Sequence, residues 1–461
     1  MYELQSRWKP EGNTLRYYGL RNMPHMLKNT LRLSPKQQAI IRKLPCALTE
    51  KELHDLGPLV GVQVVRTQEK REIPQSLSQA RFCISCAAND FIIPGLEFDE
   101  QGTCPLCQTR QQTRELKSVV PVMNRFPRAK KSRFDVAVFY TGGKDSTYLL
   151  YYLSKVLQLR VLALTWEIPF MSNCARASIE GARKNLPNVE FISRKVADED
   201  LRKIYRHLYG LSENTCACPS LAYVLFYPEL VANRIPYFVV GNEPVQMLGL
   251  YYNHMAPKIA YRFGSSKILN GLVNFGRVLT LHPPFKKGQL HTLMTMKQLA
   301  YGDNRLKTLA GYRNPLVSNV VEAIHQVPGM VAPLKRAIRR SSWSGNIPAF
   351  VQVDLNEACG GVYDWKTIRQ TIIAECGWVP PAEDAKGLHT SCSIEKCKEY
   401  SQFARFYHMR SDMIPFSALE IALASRDGNI SREDAIREME SSLGFALQEI
   451  PECRIMLEYI K

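Results

Sequence analysis

FDVAVFYTGGKDST, residues 134–147, decides the fold. Its first half, 134–140, is a nearly continuous apolar run, the pattern of a strand buried on both faces. Its second half turns on Gly142 and Gly143. It then enters a helix with Leu149, Leu150, Leu153, Val156 and Leu157 on one face. Two glycines let the backbone turn tightly and bring its N–H groups against an anion. The helix start adds a favourable dipole for phosphate. Lys144 can neutralise phosphate charge, Ser146 and Thr147 can donate hydrogen bonds, and Asp145 can orient a magnesium ion between phosphates. A ligand-free glycine turn would share the local composition. The strand–loop–helix setting favours the phosphate reading. The spacing is not the GxxxxGK[ST] of kinases and GTPases.

Outward from this loop, residues 160–166 (RVLALTW), 189–196 (VEFISRKV) and 236–240 (PYFVV) read as further strands, and Pro219 opens a helix running through Asn233. Alternating strands and helices predict an α/β fold with a mainly parallel sheet and flanking helices. Residues 250–350 are basic and weakly periodic, and read as mixed helices and loops lining the substrate side. From Trp365 onward the pattern is helical, with Ser431 and Asp434 capping one helix. Ala358–Gly361 reads as a turn. Toward the N-terminus, Ser34 and Pro35 suit a helix start, and Thr49 with Glu52 forms a capping-box pattern. Val60, Val62 and Val64 then alternate like a strand. This small unit resembles a winged helix, and a packing module without a ligand explains it equally well. The expected organisation is 1–78 winged-helix-like, 79–115 a metal knuckle, 130–355 the phosphate-loop domain and 356–461 a helical C-terminal region.

Sixty Lys and Arg against 43 Asp and Glu give a formal charge of +17 over 461 residues, and 45% of the residues are hydrophobic. That composition excludes a mainly disordered or collagen-like chain. No apolar run is long enough for a membrane span, and Met1–Pro10 lacks the core of a secretory signal, so the expectation is a cytoplasmic protein. The positive charge is spread along the chain. It suits a phosphate-bearing small substrate better than nucleic acid, which stays the lesser alternative.

Thirteen cysteines in a reducing compartment point to metal or catalysis rather than disulfides. Cys83-x2-Cys86 and Cys104-x2-Cys107 have the spacing of two thiolate knuckles closing a structural zinc site. Cys216 and Cys218 stand at a helix start, where thiolates are favoured. Buried small hydrophobes are the alternative for these two.

TGGKDS resembles the SGGxDS loop of the ATP pyrophosphatase, or PP-loop, superfamily, with a HUP-like fold. The resemblance implies ATP as cofactor, cleaved between the α- and β-phosphates, with AMP transferred to a carbonyl or amide oxygen. A nitrogen or sulfur nucleophile then displaces AMP. It places the nucleotide at Thr141, Gly142, Gly143, Lys144, Asp145, Ser146, Thr147, Thr165, Trp166, Gly241 and Asn242. Within the superfamily, order of features over residues 80–445 resembles N-acetyl sugar amidotransferases of lipopolysaccharide and nonulosonic acid biosynthesis. Paired CxxC knuckles precede the loop. Gly241-Asn242-Glu243 follows a strand, and Gly377-Trp378 precedes RDGNISREDA at 426–435. That likeness implies a sugar-nucleotide substrate, with ammonia supplied by a separate glutaminase. The rival likeness is to sulfur-inserting tRNA enzymes. There Cys216, Cys218 and Cys392 would hold an iron-sulfur cluster, Cys174 and Cys397 would be reserves, and a sulfur-donor protein would be the partner.

Overall fold

The computed structural model describes the chain except residues 21–28, 62–63, 68–71, 111–119, 212–217, 243, 254–266, 303, 305–313, 319, 383–387 and 389–390. It divides into two units. One comprises Met1–Glu115, Tyr252–His254 and Glu399–Glu449; the other comprises Leu116–Tyr251, Met255–Lys398 and Ile450–Lys461.

Among its described residues the first unit contains five short strands: β1 (Tyr2–Leu4), β2 (Trp8–Glu11), β3 (Thr14–Tyr17), β4 (Thr30–Arg32) and β5 (Val65–Thr67). β2, β3 and β4 form an antiparallel sheet, and β1 pairs with β5. Helices Pro35–Ile41 and Glu50–Leu56 begin where the caps predict. Ser34 with Gln37, and Thr49 with Glu52, close reciprocal capping boxes that satisfy first-turn N–H groups. Ile40, Ile41 and Leu56 then pack on Trp8, Leu15, Tyr17 and Val65. Among the described residues, neither Val60 nor Val64 lies in the expected strand. Gly57 at φ 51° ends one helix, and Pro58 starts a short turn, Pro58–Gly61, that takes in Val60. The strand begins only at Val65, and Val62 lies outside the described residues.

The second unit is built on β6 (Val136–Phe139), β7 (Val161–Trp166), β8 (Val189–Arg194), β9 (Tyr237–Asn242) and β10 (Ala349–Asp354). Their order is β10-β9-β6-β7-β8, and every pair is parallel. The chain winds from β6 out to β8 and then returns to the other side of β6. The direction of winding therefore reverses between β6 and β9, the place where open parallel sheets bind ligands. β10 was not expected, because its surroundings read as helices and loops. Its signal is the alternation of Ala349, Val351 and Val353, all buried. Phe139, Phe238 and Phe350 pack side by side across β6, β9 and the edge strand β10, with Phe139 and Phe238 edge to face at 4.4 Å between centroids.

The helix after β6 runs Lys144–Tyr151 and then widens into a π-helical turn at Tyr152–Val156. The wider turn shifts the register, so Leu149, Leu150 and Leu153 stay buried while Val156, expected inside, is exposed. Residues 358–361 form a turn, with Gly360 and Gly361 at φ 87° and 127°. The C-terminal third is helical as expected, including Trp365–Cys376, Glu395–Tyr407, Phe416–Asp427 and Arg432–Ser441. Among the described residues no helix is long and apolar enough to cross a membrane.

His291, on helix Gln289–Tyr301, is buried in this second core, its ring stacked on Phe350 at 6.1 Å. Burial pushes its pKa down to about 4 from the usual 6.5. The unfolded chain therefore binds a proton that the folded chain refuses. Stability should fall as pH drops from about 6.5 toward 4, by about 3 kcal/mol in total. Denaturant titrations across that range should show His291→Phe losing this part of the slope.

Candidate functional site

In the first unit the four knuckle cysteines converge. The Sγ atoms of Cys83, Cys86, Cys104 and Cys107 all lie within 4.8 Å of one another. Cys83 to Cys107 is 3.9 Å and Cys86 to Cys104 is 3.6 Å. A tetrahedron with metal–sulfur bonds of about 2.3 Å has edges of about 3.8 Å, so the spacing fits a four-coordinate ion. Backbone N–H groups aim at the sulfurs: Ser85 and Cys104 donate to Cys83 Sγ at 3.4 and 3.3 Å, and Ala88 donates to Cys86 Sγ at 3.4 Å. Hydrogen bonds from Cys104, Cys107 and Cys86 lower the Cys83 pKa. Cys86 and Cys104 are pushed up by the sulfurs beside them. Four thiolates this close repel one another, and a bound cation removes that penalty.

The RDGNISREDA segment braces this knuckle. Arg426 is buried, pairs with Asp427 at 2.9 Å and donates to Leu106 O at 3.0 Å. Arg432 donates to the carbonyls of Cys83 and Cys86 at 3.0 and 3.3 Å, and Ala87 N–H donates to Ser425 Oγ at 3.0 Å. Gly428 at φ 82° ends one helix, and Ser431 caps the next by accepting from Asp434 N–H. That tight corner sets both arginines over the knuckle. Arg432→Ala should cost about 1–3 kcal/mol, because it strands two carbonyls. The melting temperature should fall and a chelator should strip metal faster than from the unaltered protein.

In the second unit the glycine loop lies where the sheet reverses direction. Gly142 takes φ 73°, and a Cβ there would collide with the Ala175 carbonyl. Gly143 caps the helix without offering a side chain to its first N–H groups. Ser146 and Thr147 hydroxyls donate to Gly143 O at 3.1 and 2.8 Å, and Thr141 Oγ1 lies 3.1 Å from Ser146 Oγ. The hydroxyls therefore hold the loop's shape. Lys144 is buried, with its ammonium 4.7 Å from the Tyr363 ring centre and 4.6 Å from that of Trp365. It pairs with Asp145 at 2.5 Å, and Tyr363 OH donates to the same carboxylate oxygen at 2.8 Å. Trp378 Nε1 donates to Gly142 O at 3.0 Å. Gly377 takes φ 67°, and its carbonyl passes so close to Gly181 that a Cβ at Gly181 would collide with it.

The remaining expected residues are distributed around this edge. Thr165 Oγ1 donates to Tyr140 O at 2.9 Å, inside the sheet. Trp166 ends β7 and is buried, and its Nε1 has no hydrogen-bond partner among the described residues. Gly241 packs against Leu355 and Leu149. The Asn242 backbone pairs with Asp354, and its side chain, like Glu243, lies outside the described residues. Cys218 starts helix Cys218–Ala232, and Cys216 lies outside the described residues. Cys392 pairs by backbone with Met171, Cys174 Sγ lies 3.1 Å from Ser172 Oγ, and Cys397 Sγ lies 3.0 Å from Tyr209 OH. Among the described residues, the knuckle is the only group of three or more potential metal ligands.

Tyr363 and Trp365 were not foreseen from the sequence. Their signal is positional: Asp364 between them caps helix Trp365–Cys376, accepting from Thr367 N–H at 2.7 Å, which sets an aromatic residue on each side of a fixed corner. In comparisons with known proteins, no family model and no curated protein matches this chain.

Proposed function

We propose that the second unit is an ATP-dependent adenylating enzyme of the PP-loop type, and that it acts as an amidotransferase on a carbonyl or amide oxygen. The observation that carries this reading is the TGGKDS loop at the turn from β6 into its helix, where the parallel sheet changes winding direction. ATP enters as its magnesium complex, and Asp145 is the loop's carboxylate. The loop amides and the helix dipole hold the phosphates. The acceptor oxygen attacks the α-phosphorus, the bond to the β-phosphate oxygen breaks, and pyrophosphate leaves. Ammonia from a separate glutaminase then attacks the activated carbon, and AMP departs with the former acceptor oxygen. The C-terminal end of β7 lies at the loop's edge of the sheet, and the buried Trp166 indole N–H there has no partner among the described residues, which suits a polar atom of the purine or the acceptor. An N-acetyl sugar nucleotide is the acceptor we favour. The knuckle in the first unit is a structural zinc site, since four thiolates leave no open coordination position.

A second reading, sulfur transfer, rests on Cys218. A crossover helix feeding a parallel strand runs opposite to it, so the start of Cys218–Ala232 faces the same sheet edge as the loop. Replacing Cys216 and Cys218 by alanine separates the two. Ammonia-dependent turnover should survive, whereas sulfur transfer to tRNA or a small acceptor would be lost.

Incubation with ATP, a nucleoside-diphosphate N-acetylhexosamine and ammonium should yield AMP and pyrophosphate. ADP and phosphate as the sole products would overturn the adenylation reading.

A further inference from the structure

Helix Lys267–Leu279 is amphipathic in the reverse of the usual sense. Its polar side faces the protein. Asn274 accepts from Phe285 N–H at 2.7 Å, and Arg277 lies 3.8 Å from the Phe285 ring centre and donates to Pro283 O at 2.7 Å. Its apolar side faces outward. Ile268, Leu272, Phe275 and Leu279 follow one another at spacings of four, three and four residues, on one stripe. They are 78, 66, 66 and 68% exposed. Just past the helix end Leu281 is 95% exposed, and Trp343, 77% exposed, stands nearby with its ring 5.2 Å from that of His282. So large an apolar stripe on a surface marks a docking site.

The surrounding charge selects the occupant. Residues 244–302 contain seven Lys or Arg and no Asp or Glu. The flanking stretch 323–353 contains four more cations and again no acid. Lys267 on the helix, Lys286 and Lys287 in the segment that follows it, and Arg339 and Arg340, one turn before Trp343, are all exposed. A second copy of this face would set cation against cation. An acidic lipid surface offers both what the stripe needs and what the rim needs: acyl chains for Leu, Phe and Trp, and headgroup phosphates for Lys and Arg.

We infer that helix Lys267–Leu279, with Leu281 and Trp343, docks the protein in the interfacial plane of an anionic membrane. The protein would then sit at a lipid surface without spanning it. This inference does not depend on the adenylation reading, and its test uses no turnover.

The experiment is co-sedimentation of the full chain with phosphatidylcholine vesicles, with and without phosphatidylglycerol, while tryptophan emission is recorded. Trp8, Trp166, Trp365 and Trp378 are buried, so an emission shift reports on Trp343. Binding should be at least about tenfold stronger to the anionic vesicles and should weaken with salt. Emission should move to the blue on binding, and Trp343→Phe should abolish that shift. The Leu272→Glu/Phe275→Glu protein should stay folded, since both positions are exposed, and should lose binding by about tenfold or more. Equal sedimentation of the unaltered and charged proteins would overturn the inference. So would a dimer in vesicle-free light scattering that the same two charges split, because the stripe would then be covered by a second copy.

Discussion

Cys104→Ser is expected to yield a protein without metal at the knuckle and with a first unit that no longer folds cooperatively. Cys104 is fully buried, and its Sγ lies 3.6 Å from that of Cys86. A structural four-thiolate site contributes about 10–16 kcal/mol of metal-binding free energy, which is folding free energy when the unfolded chain has no site. A domain's whole stability is about 5–15 kcal/mol. Loss of one ligand therefore competes with the entire margin. Metal content should fall from one ion per chain to nearly none, and amides in 83–107 and 425–439 should lose protection from hydrogen exchange. Cys376→Ser provides the contrast. That thiol is equally buried, and burial pushes its pKa to about 12, but it belongs to no ligand group among the described residues. Its replacement should cost an ordinary 1–3 kcal/mol or so and leave the metal in place. A Cys104→Ser protein with full metal and unchanged melting would remove the knuckle from the list of sites.

Lys144→Met should separate catalysis from packing at the glycine loop. Methionine is close to lysine in volume, and its sulfur packs well against aromatic rings, so the slot between Tyr363 and Trp365 stays filled. Asp145 keeps its bond from Tyr363 and is 27% exposed, so it remains solvated as a carboxylate. The melting temperature should therefore move little. Formation of AMP should fall about 100-fold or more, the usual scale for losing one electrostatic contact to developing charge, or about 2.7 kcal/mol. Asp145→Asn should give a loss of similar size and also destabilise the fold, because it removes the charge of a carboxylate paired with the buried ammonium of Lys144. Single-turnover AMP formation on both folded proteins, across a magnesium series, measures this. Unchanged turnover in Lys144→Met would confine the lysine to a packing role.

The parts of this molecule that were legible in the sequence depend on short-range chemistry. The capping boxes at Ser34 and Thr49 close within three residues, the four knuckle cysteines lie within 24 residues of one another, and the strand–glycine–helix pattern at 134–147 sets its own turn through the Ser146 and Thr147 hydroxyls. The parts that were not legible depend on distant partners. β10 exists because β9 offers it an edge, and nothing local marks Ala349–Asp354 as more than a brief alternation. The burial of Lys144 depends on Tyr363 and Trp365, more than two hundred residues away, so a local reading gives the lysine to phosphate alone. Val156 was misplaced by one helical register, because a π turn has no propensity signature.

The bracing of the knuckle by Arg426 and Arg432 has a consequence for biogenesis. Leu106 and the arginine that holds its carbonyl are 320 residues apart, and Cys83 and Arg432 are 349 apart. At about 5–20 residues per second, the cysteines leave the ribosome roughly 15–70 s before their arginines exist. Through that interval the nascent knuckle has its own N–H···S bonds but no brace. Its thiols meet the cell's metal buffer and oxidants while the protein's middle third is still being made. An ion captured in that interval would be chosen by the unbraced knuckle, before Arg426 and Arg432 arrive to close over it.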